Sequence, residues 1–556
     1  MNFHSIDTTR FYELIQTWNR WAGRPAELAD EAPINERPIV RLFGEALIRD
    51  DPKRAHLICG PRRSGKTTVM WQTIRYLVQA GVPVGQIFYV KMDSQELKHE
   101  TLGTVVRGLL EMAPTADHDN PVYIFADEIC KSTDWRKWLK PMMDPPREPV
   151  RILGTCSSPL ETQASGSTHE ERESGIDRWA EHLLLPCNFL EYIELSHGPG
   201  LVPVWAREGR KTLKERISLL PQGMLFQEQL HQVLKGFLLF SGYPKLVRQI
   251  SRDLGNDNQY ISVKKAQQKL KEIAERVIYK DLGQEGGIRD LEAADSLFHK
   301  TAGRMCALAT PGKLANDMQM DSKTISEYLF QLERAHLLFR LRNFAASPTG
   351  SKSGNQKFCF FDTGMALAMR ETGNRIIQDP QSLGSVWENS AASALYELAV
   401  QSGSTLNYWR VKNDYEVDFI FDTGGHPMAF EIGGKERHHK KHIHKLIEQH
   451  PEFGNNSYVV SVSGPFVRPE DTRDGVGTLP LPAFLLAVNA QSIQEMLSHA
   501  QSGLPHKYII ATDRTTLYPR YGGNKPAFAR GDTVFLTEHE ADIYSQEGLI
   551  EQGSEI

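Results

Sequence analysis

No stretch of this 556-residue chain approaches the ~20 consecutive apolar residues that a membrane-spanning helix needs, so none is predicted. Met1 to Arg10 mix polar and charged side chains and lack the apolar core of a signal peptide. Cysteine is sparse. Cys59, Cys130, Cys156, Cys187, Cys306 and Cys359 show no CxxC spacing of a zinc site, and several lie in apolar runs, where a free thiol packs as a small hydrophobe. These absences predict a reduced, cytoplasmic protein with no membrane contact. An excess of one charge is missing too: a formal net charge of −5 gives no chain-wide nucleic-acid signature and confines any such contact to a local patch. There is no internal repeat and no long low-complexity tract. What is present is length, too much for one hydrophobic core, so several domains are expected.

Residues 1–50 read as a helical entry segment, with Phe11, Leu14, Ile15, Trp18 and Trp21 at helical spacing. Over 51–200, short apolar runs alternate with helical patterns, as in a parallel α/β sheet. The runs are Ala55–Cys59, Gln86–Met92, Val122–Ala126 and Arg151–Gly154, none with period-two alternation, as befits strands covered on both faces. Residues 201–345 are mainly helical by period. Residues 346–490 return to strands at Phe358–Phe361, Leu406–Trp409, Glu416–Phe421, Ala429–Ile432 and Tyr458–Ser461. A tail, 491–556, reads as a small β-rich module with one helix and no catalytic set, suited at most to interaction or oligomerisation.

The strongest motif is Gly60-Pro61-Arg62-Arg63-Ser64-Gly65-Lys66-Thr67-Thr68, set between an apolar strand and an amphipathic helix. Its glycines let backbone amides turn toward phosphates, and the helix N-terminus adds partial positive charge. Lys66 is placed for the β- and γ-phosphates and Thr67 for Mg²⁺. Asp127 and Glu128 end a second apolar strand, the aspartate placed for Mg²⁺ and the glutamate for activating water. The Gln86–Met92 run lies between the two motifs. This combination resembles the additional-strand, AAA-like P-loop ATPases more than kinases or GTPases, and implies ATP and Mg²⁺. Thr155-Cys156-Ser157-Ser158 follows the next strand, where such ATPases keep a polar sensor of the γ-phosphate; Ser157 is the candidate, a simple turn the alternative. Arg178 is a candidate arginine finger on this or a neighbouring subunit, or a solvated arginine.

The runs GPRRSGKTT, YIFADEICKSTDWRKWLK, LGTCSSPL and LPCNFLEYIEL together resemble a family of bacterial and archaeal AAA-like P-loop ATPases. Its members carry a C-terminal domain of unknown function related to PD-(D/E)xK nucleases. Trp135, Lys140 and Asp144 occupy the family's positions after the second motif. FSGYPKLV (240–247), TISEYLFQLERAHLL (324–338), KFCFFDTGMALAM (357–369) and YWRVKNDYEVDFI (408–420) fit as well, so the resemblance covers roughly 40–490.

Residues 312–338 read as helix, turn, helix, with Leu314 and Ala315 facing a core, Asp321-Ser322 capping, and Ile325, Leu329 and Leu332 at helical spacing. This is either a winged-helix-like DNA reader, with Ser322, Lys323, Thr324 and Ser326 leading its recognition helix, or a packing module; one basic residue there is little for DNA. Further on, Asp418 and Glu431 interrupt apolar strands and Glu388 opens a helix. Such a set can hold divalent cations and resembles a PD-(D/E)xK site. The pattern's lysine is absent: Gly433 stands there, with Lys435, Lys440 and Lys441 as substitutes, or the site is inactive. Five Lys/Arg residues between Lys435 and Lys445 form a local basic run, and His438 and His442 stand one turn apart.

The expected architecture is therefore α/β: a P-loop NTPase with a parallel sheet, a helical or winged-helix-like middle, a PD-(D/E)xK-like α/β domain and a β-rich tail. The expected function is an ATPase cycle controlling a nuclease-like domain that acts on nucleic acid, DNA first, in defence or mobile-element biology. The rivals are a signalling switch with an inert, protein-binding C-terminal domain, and an ATP-dependent DNA-binding regulator. A protein partner or homo-oligomer is open in each.

Overall fold

The computed structural model describes most of residues 7–498, the larger gaps being 50–54, 144–148, 158–178, 207–211, 221–226, 254–258, 345–354 and 371–382, and short strand segments beyond 505.

Helices α1 (Thr8–Trp18) and α2 (Ile39–Ile48) enter a five-stranded parallel sheet with the order β2-β3-β4-β1-β5. Its strands are β1 (Ala55–Cys59), β2 (Ile87–Lys91), β3 (Val122–Asp127), β4 (Val150–Cys156) and β5 (Trp179–Leu183). β1 and β4 are buried at every position, which is why their sequences run apolar without alternation. Helices α3 (Lys66–Gln79), α4 (Leu102–Met112) and α5 (Trp135–Met143) follow β1, β2 and β3. The strand separating the two motif strands in the sheet is β4; the Gln86–Met92 run, which lies between the motifs in sequence, forms β2 at the edge. β5 carried no apolar signal strong enough to be predicted.

Helix α6 (Phe189–His197) begins at Asn188, whose side chain accepts from the Glu191 amide while the Glu191 carboxylate accepts from the Asn188 amide. A helical layer follows: α7 (Leu213–Leu219), α8 (Gln227–Phe240), α9 (Pro244–Asp253) and α10 (Gln259–Glu275), which runs on as a π-helical turn over Arg276–Leu282.

Next come α11 (Leu291–Gly303), β6 (Leu308–Ala309), α12 (Pro311–Met318), α13 (Ser322–Arg334), β7 (Leu338–Leu341) and β8 (Gln356–Phe360). With the sheet order β6-β8-β7, this is the element order of a winged helix; β8 answers to the strand expected at Phe358–Phe361, while β6 and β7 fall in a stretch the sequence reads as mainly helical. Thr310 and Asp321 cap α12 and α13, and Leu314, Ala315, Ile325, Leu329 and Leu332 are buried.

After α14 (Thr363–Met369) and the long α15 (Leu383–Ser402), a second sheet has the order β13-β12-β11-β10-β9. β9 (Thr405–Val411), β10 (Tyr415–Asp422) and β11 (Met428–Ile432) pair antiparallel, while β12 (Ser457–Ser461) and β13 (Val476–Pro480) continue in parallel. Helices α16 (Glu436–Gln449) and α17 (Leu481–Ser498) complete this unit. In the tail, β14 (His506–Ile510) pairs antiparallel with β17 (Thr533–Leu536) and β18 (Ile550–Gln552); the expected tail helix lies outside the described residues. Among the described residues no helix is long and apolar enough to cross a membrane.

Candidate functional site

The loop from Gly60 to Thr67 turns at the C-terminal end of β1. Gly60 has φ +155° and packs so closely on the Leu184 carbonyl that no Cβ would fit, and Gly65 has φ +101°. Lys66 is buried, its Nζ donating to the carbonyls of Gly60 at 2.8 Å and Pro61 at 2.9 Å. Burial lowers its pKa, partly opposed by Glu128 and Asp127. The Thr67 hydroxyl donates to Asp127 at 3.0 Å and 3.2 Å. Asp127 also accepts from the Tyr89 hydroxyl at 2.8 Å and the Thr155 hydroxyl at 2.5 Å. Glu128 has a left-handed backbone (φ 54°), its amide held by Thr155 Oγ1 at 2.8 Å, and its carboxylate receives both the hydroxyl and the amide of Ser157. Ser157 thus reaches the acid that the sequence placed beside the attacking water. Arg178 and Asp144 lie outside the described residues, as does the Lys140 side chain; Trp135 is buried in the core.

Gly65, Lys66, Thr67, Glu128 and Ser157 line one cavity of about 910 Å³ with Lys245, Arg248 and Arg276 from the helical layer. A second cavity of about 200 Å³ adjoins it across Gly65, Thr68, Pro244 and Arg248, walled by Pro38, Val69 and Leu195. Arg37 braces this wall, paired with Glu191 at 2.7 Å and donating to the carbonyls of Ser64 at 3.1 Å and Leu185 at 2.9 Å.

Residues 52–193 match the family model described as an AAA domain. This match to an AAA-type P-loop ATPase domain supports ATP binding and hydrolysis. Residues 232–375 match a domain of unknown function (DUF8612), and residues 383–484 another (DUF4143). A protein of Haemophilus influenzae described as uncharacterized is 22% identical over 323 residues, which is 56% of this chain and 67% of that protein. A similarly described protein of Mycobacterium tuberculosis is 26% identical over 126 residues, 22% of this chain and 28% of its own length. The Walker-type ATPase of Pyrococcus abyssi aligns over 60% of this chain and 95% of its own at 12% identity, with a TM-score of 0.38. The ORC2 protein of Aeropyrum pernix, solved as ADPNP–ADP complexes, aligns over 62% and 93% at 12% identity, with a TM-score of 0.32.

Beyond the ATPase domain, the structure brings Glu388, Asp418 and Glu431 together, and with them a residue the sequence reading missed. Lys357 on β8, 1% exposed, sets its Nζ 2.7 Å from Glu388 Oε1 and 2.8 Å from both Glu416 Oε1 and Asp418 Oδ1. Burial pulls the lysine's pKa down, but Asp418, Glu388 and Glu416 together carry it well above its ordinary value. Glu388 moves the same way for a different cause: burial, then the adjacent Asp418, raise it well above the carboxylate range. Asp418 and Glu431 have backbone and histidine partners as well. Asp418 Oδ2 accepts from the Ile432 amide at 2.9 Å, and Glu431 Oε2 from the Asp418 amide at 3.0 Å. Glu431 Oε1 meets His439 Nδ1 at 2.9 Å. The His439 ring fills the space that a side chain at Gly433 would need, which accounts for the glycine where the nuclease pattern has lysine. Among the described residues no group of three or more His, Cys, Asp or Glu is arranged to hold a metal ion. The Lys357 ammonium stands among the carboxylates that the nuclease resemblance would assign to a divalent cation.

Of the substitute lysines, Lys435 lies outside the described residues, Lys440 pairs with Asp474 at 3.2 Å, and Lys441 stacks 5.2 Å over Tyr415. The His438 side chain is outside the described residues, and His442 bonds the Glu416 carbonyl at 2.7 Å. The cysteines also differ from expectation: Cys130 and Cys156 are paired as a disulfide, with Cα atoms 5.8 Å apart, while Cys59, Cys187, Cys306 and Cys359 are buried thiols.

Polar bonds join the ATPase domain to the C-terminal unit. Asn188 Nδ2 donates to Glu397 Oε2 on α15 at 3.1 Å, and the Phe189 amide to Asn489 Oδ1 on α17 at 3.1 Å. Burial, then Glu191, push Glu397 up to about 7. Between the ordinary glutamate range and about 7, the unfolded chain has released a proton that the folded chain keeps, so stability falls as pH rises through that window. Glu397→Gln is expected to remove this loss, on the order of 3 kcal/mol at full extent. Urea midpoints at pH 5 and pH 8 measure it, and an unchanged pH slope in the variant would reject the assignment.

Proposed function

We propose that this protein is an ATP-driven switch that acts on DNA through its winged-helix unit, and that its C-terminal unit relays the switch without cutting. In the ATPase site, Lys66 binds the β- and γ-phosphates, Thr67 and Asp127 hold Mg²⁺, Glu128 takes the proton of the attacking water, and Ser157 links that acid to the γ-phosphate. The hydroxyl and carboxylate that face each other at Thr67 and Asp127 suit the hard ion, which neutralises phosphate charge when bound. The small cavity beside Gly65 suits the nucleobase, its Pro38, Val69 and Leu195 walls offering apolar contact.

The observation that carries the switch is the position of β8. At its start, Lys357 is gripped by Glu388, Glu416 and Asp418. Just past its end, Asp362 accepts from the Ser241 hydroxyl at 2.7 Å and the Gly242 amide at 2.9 Å, in the loop that delivers Pro244 and Lys245 to the nucleotide cavity. Between them Asn389 clasps Phe360, accepting from its amide at 2.7 Å and donating to its carbonyl at 3.0 Å. A nucleotide that moves the Ser241–Pro244 loop therefore pulls on a strand shared by the winged-helix sheet and the carboxylate cluster.

The C-terminal unit resembles the PD-(D/E)xK arrangement in its acids, but an ammonium stands at their centre. Two assays test the proposal. Duplex DNA is expected to stimulate ATP turnover with a steep salt dependence. Plasmid and single-stranded DNA should stay intact with Mg²⁺ or Mn²⁺, with and without ATP. Turnover indifferent to DNA would remove the DNA reading; cleavage lost in Glu431→Ala would remove the claim that this unit does not cut.

A further inference from the structure

The cations facing the nucleotide come from two parts of the same chain. Arg62, Arg63 and Lys66 belong to the P-loop; Lys245, Arg248 and Arg276 belong to the helical layer, and all six line the cavity that contains Thr67, Glu128 and Ser157. Among the described residues Glu128 is the one carboxylate on that wall. Lys245 and Arg248 stand three apart on α9 and so share a face. Arg248 also borders the smaller cavity, which puts it nearer the nucleobase side, whereas Arg276 lines only the larger one.

Arg276 opens the π-helical turn, and Asp281, five residues on, pairs with Arg62 of the P-loop. The i→i+5 winding brings residues five apart nearer one face than an α-helix would, so Arg276 and Asp281 can both meet the loop. The Asp281–Arg62 pair pins the turn that carries Arg276 against the phosphate cradle. The Arg276 side chain is itself exposed, with length to extend into the cavity.

We propose that the triphosphate site is completed within one chain, with Arg276 as the arginine that meets the γ-phosphoryl group during hydrolysis. The inference rests on the ATP-hydrolysis reading of the P-loop. A planar guanidinium there stabilises charge on the equatorial oxygens of the transferring group as Glu128 draws the proton from water, and the bond to the ADP leaving oxygen breaks. No neighbouring subunit has to insert an arginine, so turnover per chain is independent of assembly.

The test is steady-state ATP turnover at widely spaced protein concentrations for wild type, Arg276→Ala, Arg276→Lys, Arg178→Ala and Lys66→Ala, with binding of a fluorescent ATP analogue in parallel. Expected are constant specific activity, a kcat loss of roughly 10³-fold in Arg276→Ala with analogue affinity little changed, and near wild-type turnover in Arg178→Ala. Partial recovery in Arg276→Lys is expected from a charge that the planar fork positions better. Specific activity that climbs with concentration, together with loss in Arg178→Ala, would overturn the proposal in favour of a neighbour's arginine. Unchanged kcat in Arg276→Ala would overturn it outright. Wild-type turnover no higher than that of Lys66→Ala would sink the hydrolysis reading, and this inference with it.

Discussion

Lys66→Ala is expected to reduce ATP turnover by roughly 10³-fold or more while leaving the fold intact. The ammonium is buried, and desolvation lowers its pKa. Among the described residues its partners are the loop's own carbonyls, Gly60 and Pro61. A buried cation held this way contributes little stability, and a depressed lysine pKa means that protonation works against the fold as pH falls. A triphosphate in the cavity supplies the missing counter-charge. The loss should therefore appear in nucleotide affinity and turnover together, with the urea midpoint unchanged or slightly raised. Glu128→Gln should separate the two: it keeps the Ser157 contact through the amide oxygen, binds nucleotide and turns it over slowly, because the proton acceptor is gone. Turnover of wild-type order in Lys66→Ala would remove the P-loop assignment. A collapsed urea midpoint would make the lysine structural.

Which parts of this site can be read in sequence follows from how local they are. The P-loop is one contiguous strand–loop–helix, and its glycines sit at the positive φ values that their chemistry allows. Asp127, Glu128 and Ser157 are legible because buried parallel strands are unbroken apolar runs, and functional groups gather where the runs stop. The order of strands is less legible: β2 and β4 look alike in sequence, and only the sheet shows that β4 lies between the motif strands. Arg276 and Lys357 are illegible for a different reason. Lys357 precedes Glu388 by 31 residues and Asp418 by 61, so no spacing pattern joins them. Cys130 and Cys156, 26 apart, meet because β3 and β4 are neighbours, which their spacing does not reveal. Gly433 could be read as a missing lysine, but its physical reason, the His439 ring packed where a side chain would go, exists only in the fold.

Lys357→Met is expected to cost roughly 3–5 kcal/mol of stability, the scale for stripping one partner from a buried ion cluster. Methionine keeps most of the volume, so the cost is electrostatic: Glu388, Glu416 and Asp418 lose the ammonium that lies within 2.8 Å of each. Arg410, 3.2 Å from Glu416, relieves one of them, and Glu388 can remain protonated because burial and Asp418 already hold its pKa high. Asp418 is left most exposed to the loss, since Lys357 is the main influence that keeps its pKa down against burial. Adding Asp418→Asn to Lys357→Met should then recover part of the stability, whereas Asp418→Asn alone should destabilise; the double-mutant cycle in urea measures the coupling. Titration with Mn²⁺ decides what the cluster is. If the ammonium is its proper cation, wild type shows no specific Mn²⁺ binding, and the Lys357→Met variant gains it as the carboxylates seek a replacement charge. Tight Mn²⁺ binding by wild type, with Lys357→Met as stable as its parent, would return the cluster to the nucleases, because a lysine that can be lost without cost is not what holds three acids together.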